Sequence, residues 1–182
     1  AAYPLVDTHD GRVLLTEYYT RYAEIAAGVG AGVVLEAPTW RANPDWAATL
    51  GHDRAELVRL IDASIELVRR VGDGWQHDAP FVVSGTVGPR GDGYRVDTAM
   101  TPDESAAYHS FQIERMAAAG ADVVTAMTMG YVGEAAGVAL AARDAGVPVV
   151  LSFTLETDGR LPSGASLADA IAETDELTGA AP

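Results

Sequence analysis

The chain contains no cysteine. That excludes disulfides, a thiol nucleophile and any cysteine-ligated metal built from these 182 residues. Basic residues are scarce as well, with 12 arginines and no lysine against 26 aspartates and glutamates and a formal net charge of -14. Such a balance repels nucleic acid and anionic lipid, and no basic cluster offers a local exception, so neither partner is expected. No apolar run approaches the roughly 20 residues of a membrane helix. The opening Ala1-Ala2-Tyr3-Pro4-Leu5-Val6-Asp7 lacks the basic start and apolar stretch of a secretion signal, so a cytoplasmic location is expected. No His-x-x-x-His spacing offers a metal site, and no Gly-x-Ser-x-Gly elbow supports serine hydrolysis. His9, His52, His77 and His109 fall in expected loops or on helix faces, where solvated roles are expected.

What is present fits one domain over residues 1–182: 48% hydrophobic and 21% charged residues suffice for a sizeable core. Segments with helical periodicity alternate with short β-branched runs at a spacing of roughly 40 residues, the pattern of successive βα units. The periodicity predicts helices over Thr16 to Ala27, Arg54 to Val71, Thr101 to Ala119, Gly133 to Ala145 and Leu167 to Leu177. Strands are predicted over Gly32 to Glu36, Phe81 to Ser84, Asp122 to Ala126 and Val147 to Phe153. Three echoes, Ala27-Gly28-Val29-Gly30, Ala119-Gly120-Ala121-Asp122 and Ala145-Gly146-Val147-Pro148, each join a helix end to a strand through glycine.

Short αβ and long βα connections are the habit of α/β barrels, whose chemistry gathers at the carboxyl ends of the strands. Polar residues here concentrate after the strands: Glu36, Thr39, Arg41 and Asn43; Thr86, Arg90, Asp92 and Tyr94; Thr128 and Tyr131; Thr154, Glu156, Asp158 and Arg160. Three rim arginines could grip a carboxylate or phosphate, or pair with Asp45, Asp92 and Asp158. The loop Ser84-Gly85-Thr86-Val87-Gly88-Pro89-Arg90-Gly91-Asp92-Gly93 holds four glycines but no Gly-Lys-Ser/Thr ending, so it is not a nucleotide-binding loop.

Several of these segments, in order, resemble the homocysteine S-methyltransferase family. Ala27-Gly28-Val29-Gly30-Ala31-Gly32-Val33-Val34-Leu35-Glu36-Ala37-Pro38-Thr39-Trp40-Arg41-Ala42-Asn43 is similar to its second-strand motif, and Ser84-Gly85-Thr86-Val87-Gly88-Pro89-Arg90-Gly91 to its Gly-Ser-(Ile/Val)-Gly-Pro loop. Ala119-Gly120-Ala121-Asp122 and Ser152-Phe153-Thr154-Leu155-Glu156-Thr157-Asp158-Gly159-Arg160-Leu161-Pro162-Ser163-Gly164 resemble later strands. The resemblance implies an α/β fold, part of a (β/α)8 TIM barrel with about four βα units, and transfer of a methyl group to the thiol of homocysteine or a related thiol. It implies substrate contacts at Thr39, Gly85, Thr86 and Thr128, with a small-molecule thiol and a methyl donor as partners.

The same resemblance implies a zinc ion that lowers the thiol pKa, yet the cysteines that hold it in the family have no counterpart here. The family's opening Asp-Gly-Gly strand is also missing, and Met127-Thr128 stands where the family places the Glu-Thr pair that takes the substrate ammonium. A partial chain spanning roughly strands two to five of eight is therefore expected, inactive alone. Its two unpaired sheet edges should drive association, so homo-oligomers are an expectation. Two alternatives remain open: a metal-free binder of a small anion on the same scaffold, and an unrelated α/β-barrel enzyme using Glu36, Asp92 or Glu156 as base.

Overall fold

The computed structural model describes residues 1–97 and 99–179. After a 3-10 turn at Tyr3–Asp7 come α1 (His9–Gly28), β1 (Val33–Glu36), α2 (Pro44–Leu50), α3 (Arg54–Gly72), β2 (Phe81–Val87), α4 (Pro102–Ala118), β3 (Val123–Met129), α5 (Val132–Asp144), β4 (Val149–Phe153) and α6 (Leu167–Thr178). The four strands form one parallel sheet in the order β1-β2-β3-β4, with Val33 opposite Phe81, Ser84 opposite Val123, and Val124 opposite Val149. Each strand returns to its neighbour through a helix, so the carboxyl ends of all four strands share one rim.

Local chemistry explains the helix starts. Asp53 and Glu56 form a reciprocal capping box on α3, and Thr101 and Glu104 form another on α4, where Pro102 occupies the first turn. Along α3, Leu57, Leu60, Ile61, Ser64, Ile65 and Val68 lie on one stripe and are buried. Full burial of a side chain such as Ile61 or Ile65 is worth about 1.5–3 kcal/mol. Helix-to-strand returns turn at Gly30, Gly120 and Gly146, all in the left-handed region.

Several boundaries differ from the sequence expectation. Helix α1 begins at His9 rather than Thr16, because Thr8 caps it by accepting from the Gly11 amide. Strand β2 runs through Val87, so Gly85 and Thr86 belong to the strand and not to the loop. Helix α2 was not anticipated; Asn43 caps it and Pro44 starts it, turning seven residues of a supposed loop into helix. Strand β3 continues to Met129 past an irregularity between Ala126 and Met129.

The strands alternate between two faces. Leu35, Val83, Val87, Val124 and Ala126 point to the helices and are buried in the main core. Gly85 shares that side, where an added Cβ would meet the Met116 Sδ at 2.6 Å, so its lack of a side chain lets α4 close onto the sheet. The opposite face, turned away from the helices that pack on the main core, carries Val34, Glu36, Ser84, Thr86, Thr125 and Val150, and Ser84, Thr86 and Thr125 are buried at its centre. Val34 and Val150 are 54% and 53% exposed there. No helix among the described residues is long and apolar enough to cross a membrane.

Candidate functional site

The rim of strand carboxyl ends is organised around Thr86. Its hydroxyl donates between a Glu36 carboxylate oxygen at 2.9 Å and the Ala37 carbonyl at 3.0 Å, joining β1 to β2 on the sheet face opposite the main core. Glu36 is half-buried, and its own carbonyl accepts the Tyr19 hydroxyl at 2.8 Å. One strand turn lower, Ser84 and Thr125 share a hydrogen bond of 2.8 Å across β2 and β3.

Thr39 lies behind this face. It is fully buried; its hydroxyl accepts from the Thr86 amide at 2.9 Å and lies 2.9 Å from the Thr86 carbonyl, while Gln112 donates to its carbonyl at 2.7 Å. Thr128 holds a different kind of position. At φ 61° it is the one non-glycine residue with positive φ among the described residues, unusual for a β-branched side chain. Its hydroxyl donates to the Met127 carbonyl at 2.6 Å, and a Cβ on Gly93 would come within 3.1 Å of that oxygen, so the glycine loop rests directly on it. Such outliers persist only where surrounding structure holds them and gather at functional sites. Of the four residues singled out from sequence, Thr86 and Thr128 therefore sit on the rim, while Thr39 and Gly85 shape what lies behind it.

The glycine loop is anchored by a residue that sequence reasoning did not single out. Glu134, on the first turn of α5 and 2% exposed, accepts from the Arg90 amide at 2.6 Å and from His109 Nε2 at 3.0 Å. His109 is fully buried, which corrects the expectation that it is solvated: its helix face is the one pressed against α5. That contact is close because Gly137 admits Ser105, whose hydroxyl donates to the Glu134 carbonyl at 2.9 Å. A buried carboxylate between two donors is fixed in place. The helical phase of His109 relative to Ile113 and Met116, both buried, was the available signal.

The rim arginines are engaged with the protein itself. Arg41 donates to the Pro89 and Gly91 carbonyls at 2.7 and 2.9 Å and stacks 4.1 Å above the Trp40 ring. Burial lowers its pKa, opposed chiefly by Asp92, and the group stays charged. Arg90 pairs with Asp45 at 3.0 Å, and Arg160 donates to the Gly164 carbonyl at 3.0 Å. Beside the loop lies a cleft of about 410 Å³ lined by Asp45, Arg90, Asp92, Met100, Tyr131 and Glu134 among others. Burial pushes the Tyr131 phenol up to about 12, so it enters this cleft as a neutral hydroxyl that accepts from the Met100 amide. No group of three or more His, Asp or Glu side chains among the described residues is placed to hold a metal, and with no cysteine in the chain these residues do not fit the zinc that the resemblance implies.

The family model described as homocysteine S-methyltransferase matches residues 4–181. The chain belongs to the homocysteine S-methyltransferase family. A curated homocysteine S-methyltransferase from Escherichia coli strain K12 is 30% identical over 145 residues, covering 74% of this chain and 47% of that protein. Crystal structures of the homocysteine methyltransferase MmuM from Escherichia coli superpose with TM-scores of 0.79 for the oxidised form and 0.78 for the metallated form, both at 24% identity. Those alignments cover 94% of this chain and 60% and 61% of the MmuM chains, so the four βα units match part of a homocysteine methyltransferase fold. The chain spans about half the length of the curated relative it matches.

Proposed function

We propose that this chain supplies the substrate-binding arc of an enzyme that transfers a methyl group to the thiol of homocysteine. The observation that carries the reading is the family match over residues 4–181, laid on a sheet whose four strand carboxyl ends meet at one rim. In this reaction a sulfur–carbon bond forms as the bond from the methyl group to its donor breaks, and the thiol proton is lost. The attacking species is the thiolate, because the neutral thiol is a poor nucleophile.

Thr86 and Thr128 are the rim residues proposed to border the substrate, under a glycine loop pinned by Glu134 through the Arg90 amide. Thr39 and Gly85 act at one remove, the first by fixing the Thr86 main chain and the second by admitting Met116. In the family reading zinc would hold and activate the thiolate; the chain has no cysteine, and its described residues do not form such a site.

The test is expression of the complete reading frame that encodes this chain, followed by assay of methionine formation from homocysteine with a methylsulfonium and a methylammonium donor supplied in turn. Zinc content is measured on the same sample by elemental analysis. Methionine formation with one donor supports the reading. Its absence with both, from folded protein, refutes it.

A further inference from the structure

Among the carboxylates at the strand ends that are at least partly buried, Glu36 stands out for having no cation. Asp45 is paired with Arg90, and Glu134 is held by His109 and the Arg90 amide. Asp92 and Asp158 accept main-chain amides of their own turns, from Tyr94 and Arg160. Glu156 is solvent-exposed beyond β4. Glu36 is half-buried on the sheet face opposite the main core, one oxygen fixed by the Thr86 hydroxyl, and it has no ion-pair partner among the described residues. The rim arginine nearest in sequence, Arg41, is turned onto the Pro89 and Gly91 carbonyls and the Trp40 ring. A carboxylate partly removed from water without a counter-ion is unfavourable, and a bound cation relieves that cost.

The thiol substrate of the preceding subsection is an amino acid and carries an ammonium group. We infer that Glu36 is the carboxylate that receives this ammonium group, through charge-assisted hydrogen bonds, and that Thr86 is a positioning residue that orients it. The inference rests on the methyl-transfer reading. Geometry favours Glu36 for the role: β1 ends at this residue, so its side chain stands at the rim, on the face shared with Thr86 and away from the helices. The free carboxylate oxygen supplies the acceptor, and the Thr86 hydroxyl fixes which oxygen that is. An amino-acid thiol is thereby distinguished from one that lacks the amino group, since a site built around a charged acceptor discriminates against a ligand that leaves it unpaired.

The test is calorimetric titration of the protein from the complete reading frame with L-homocysteine and with 4-mercaptobutanoate, the same thiol without its amino group. Wild type is expected to bind homocysteine at least about 10-fold more tightly than the analogue. Glu36→Gln should lose about 100-fold in homocysteine affinity while binding the analogue as before, which also shows that it is folded. Thr86→Val should lose about 10-fold, and Glu36→Asp should regain part of the loss. Equal homocysteine binding by wild type and Glu36→Gln would overturn the assignment and leave the methyl-transfer reading standing. Failure of wild type to bind either thiol, together with no methionine formation, would overturn both.

Discussion

Replacing Glu134 by alanine removes the one acceptor shared by two buried donors. The His109 Nε2–H and the Arg90 amide both end on this carboxylate, at 3.0 and 2.6 Å, in a region where Glu134 is 2% and His109 0% exposed. Each donor left without a partner costs about 1–3 kcal/mol, so Glu134→Ala should destabilise by about 3–5 kcal/mol once the lost packing is included. Glu134→Gln keeps one acceptor oxygen and should cost about 1–2 kcal/mol. Urea titration at constant m-value reads both numbers. The site of the damage is also predictable: amide hydrogen exchange should accelerate at Arg90 and its loop neighbours before it does so in β2 or β3. A Glu134→Ala cost below about 1 kcal/mol, with unchanged exchange at Arg90, would refute the view that this carboxylate holds the glycine loop.

Gly137→Ala should destabilise by about 1–3 kcal/mol, despite the gain in helix propensity, because a Cβ there would lie 2.3 Å from the Ser105 Cβ and 2.5 Å from the Pro102 carbonyl. Gly28→Ala, with open space around it, should be stabilising by up to about 1 kcal/mol; if the two thermal shifts have the same sign, the packing argument fails. Burial holds the phenols of Tyr19, Tyr108 and Tyr131 above the ordinary tyrosine value, Tyr131 at about 12. A folded pKa raised in this way contributes stability that is complete below about pH 10 and is lost as pH climbs toward the folded value; absorbance titration should show a late-ionising class that merges with the rest on unfolding, and a single class near 10 would count against it. Leu14, Tyr18, Tyr22 and Ile25 form an exposed stripe on α1 that Val29 continues just past its end, and β1 and β4 each leave one edge unpaired in this sheet. The isolated 182-residue chain should therefore self-associate with rising concentration in sedimentation velocity, and a monomer throughout would refute that reading.

Strand and helix identity was legible because period and punctuation agreed. Helix α3 shows this best: Asp53 caps, a 3.6-residue stripe follows, and Gly72 closes, so its observed span of Arg54–Gly72 lies one residue from the expected one. Where punctuation misled, the cause is local. Thr16 has the chemistry of a cap but lies inside α1, because Thr8, eight residues earlier, already satisfies the first free amides. Asn43-Pro44 carried a helix start for α2 just as clear, but the segment's polar, short pattern was absorbed into the loop after β1. Gly85 was misplaced because glycine is the usual mark of a turn, whereas here its missing side chain serves a helix crossing.

The rim itself was legible as a set of segments, but not as a set of contacts. Motif likeness picks out Thr39, Gly85 and Thr86, with Thr128 behind them, and the alternation of faces along β2 separates Gly85 from Thr86. Thr86 shares its face with Glu36, while Gly85, one residue away, faces Met116 on the opposite side. Thr128 reaches the rim through a backbone twist that no pattern of residue types announces. Glu134 was beyond reach for another reason, since its partners His109 and Arg90 lie 25 and 44 residues away in sequence. Because β2 runs on to Val87, its period-two alternation sets Thr86 beside Glu36 and turns Gly85 to the helices. Parity decides which side chains a ligand at the strand ends can meet, and that is why Glu36, not the glycine beside Thr86, is the residue proposed to meet the substrate.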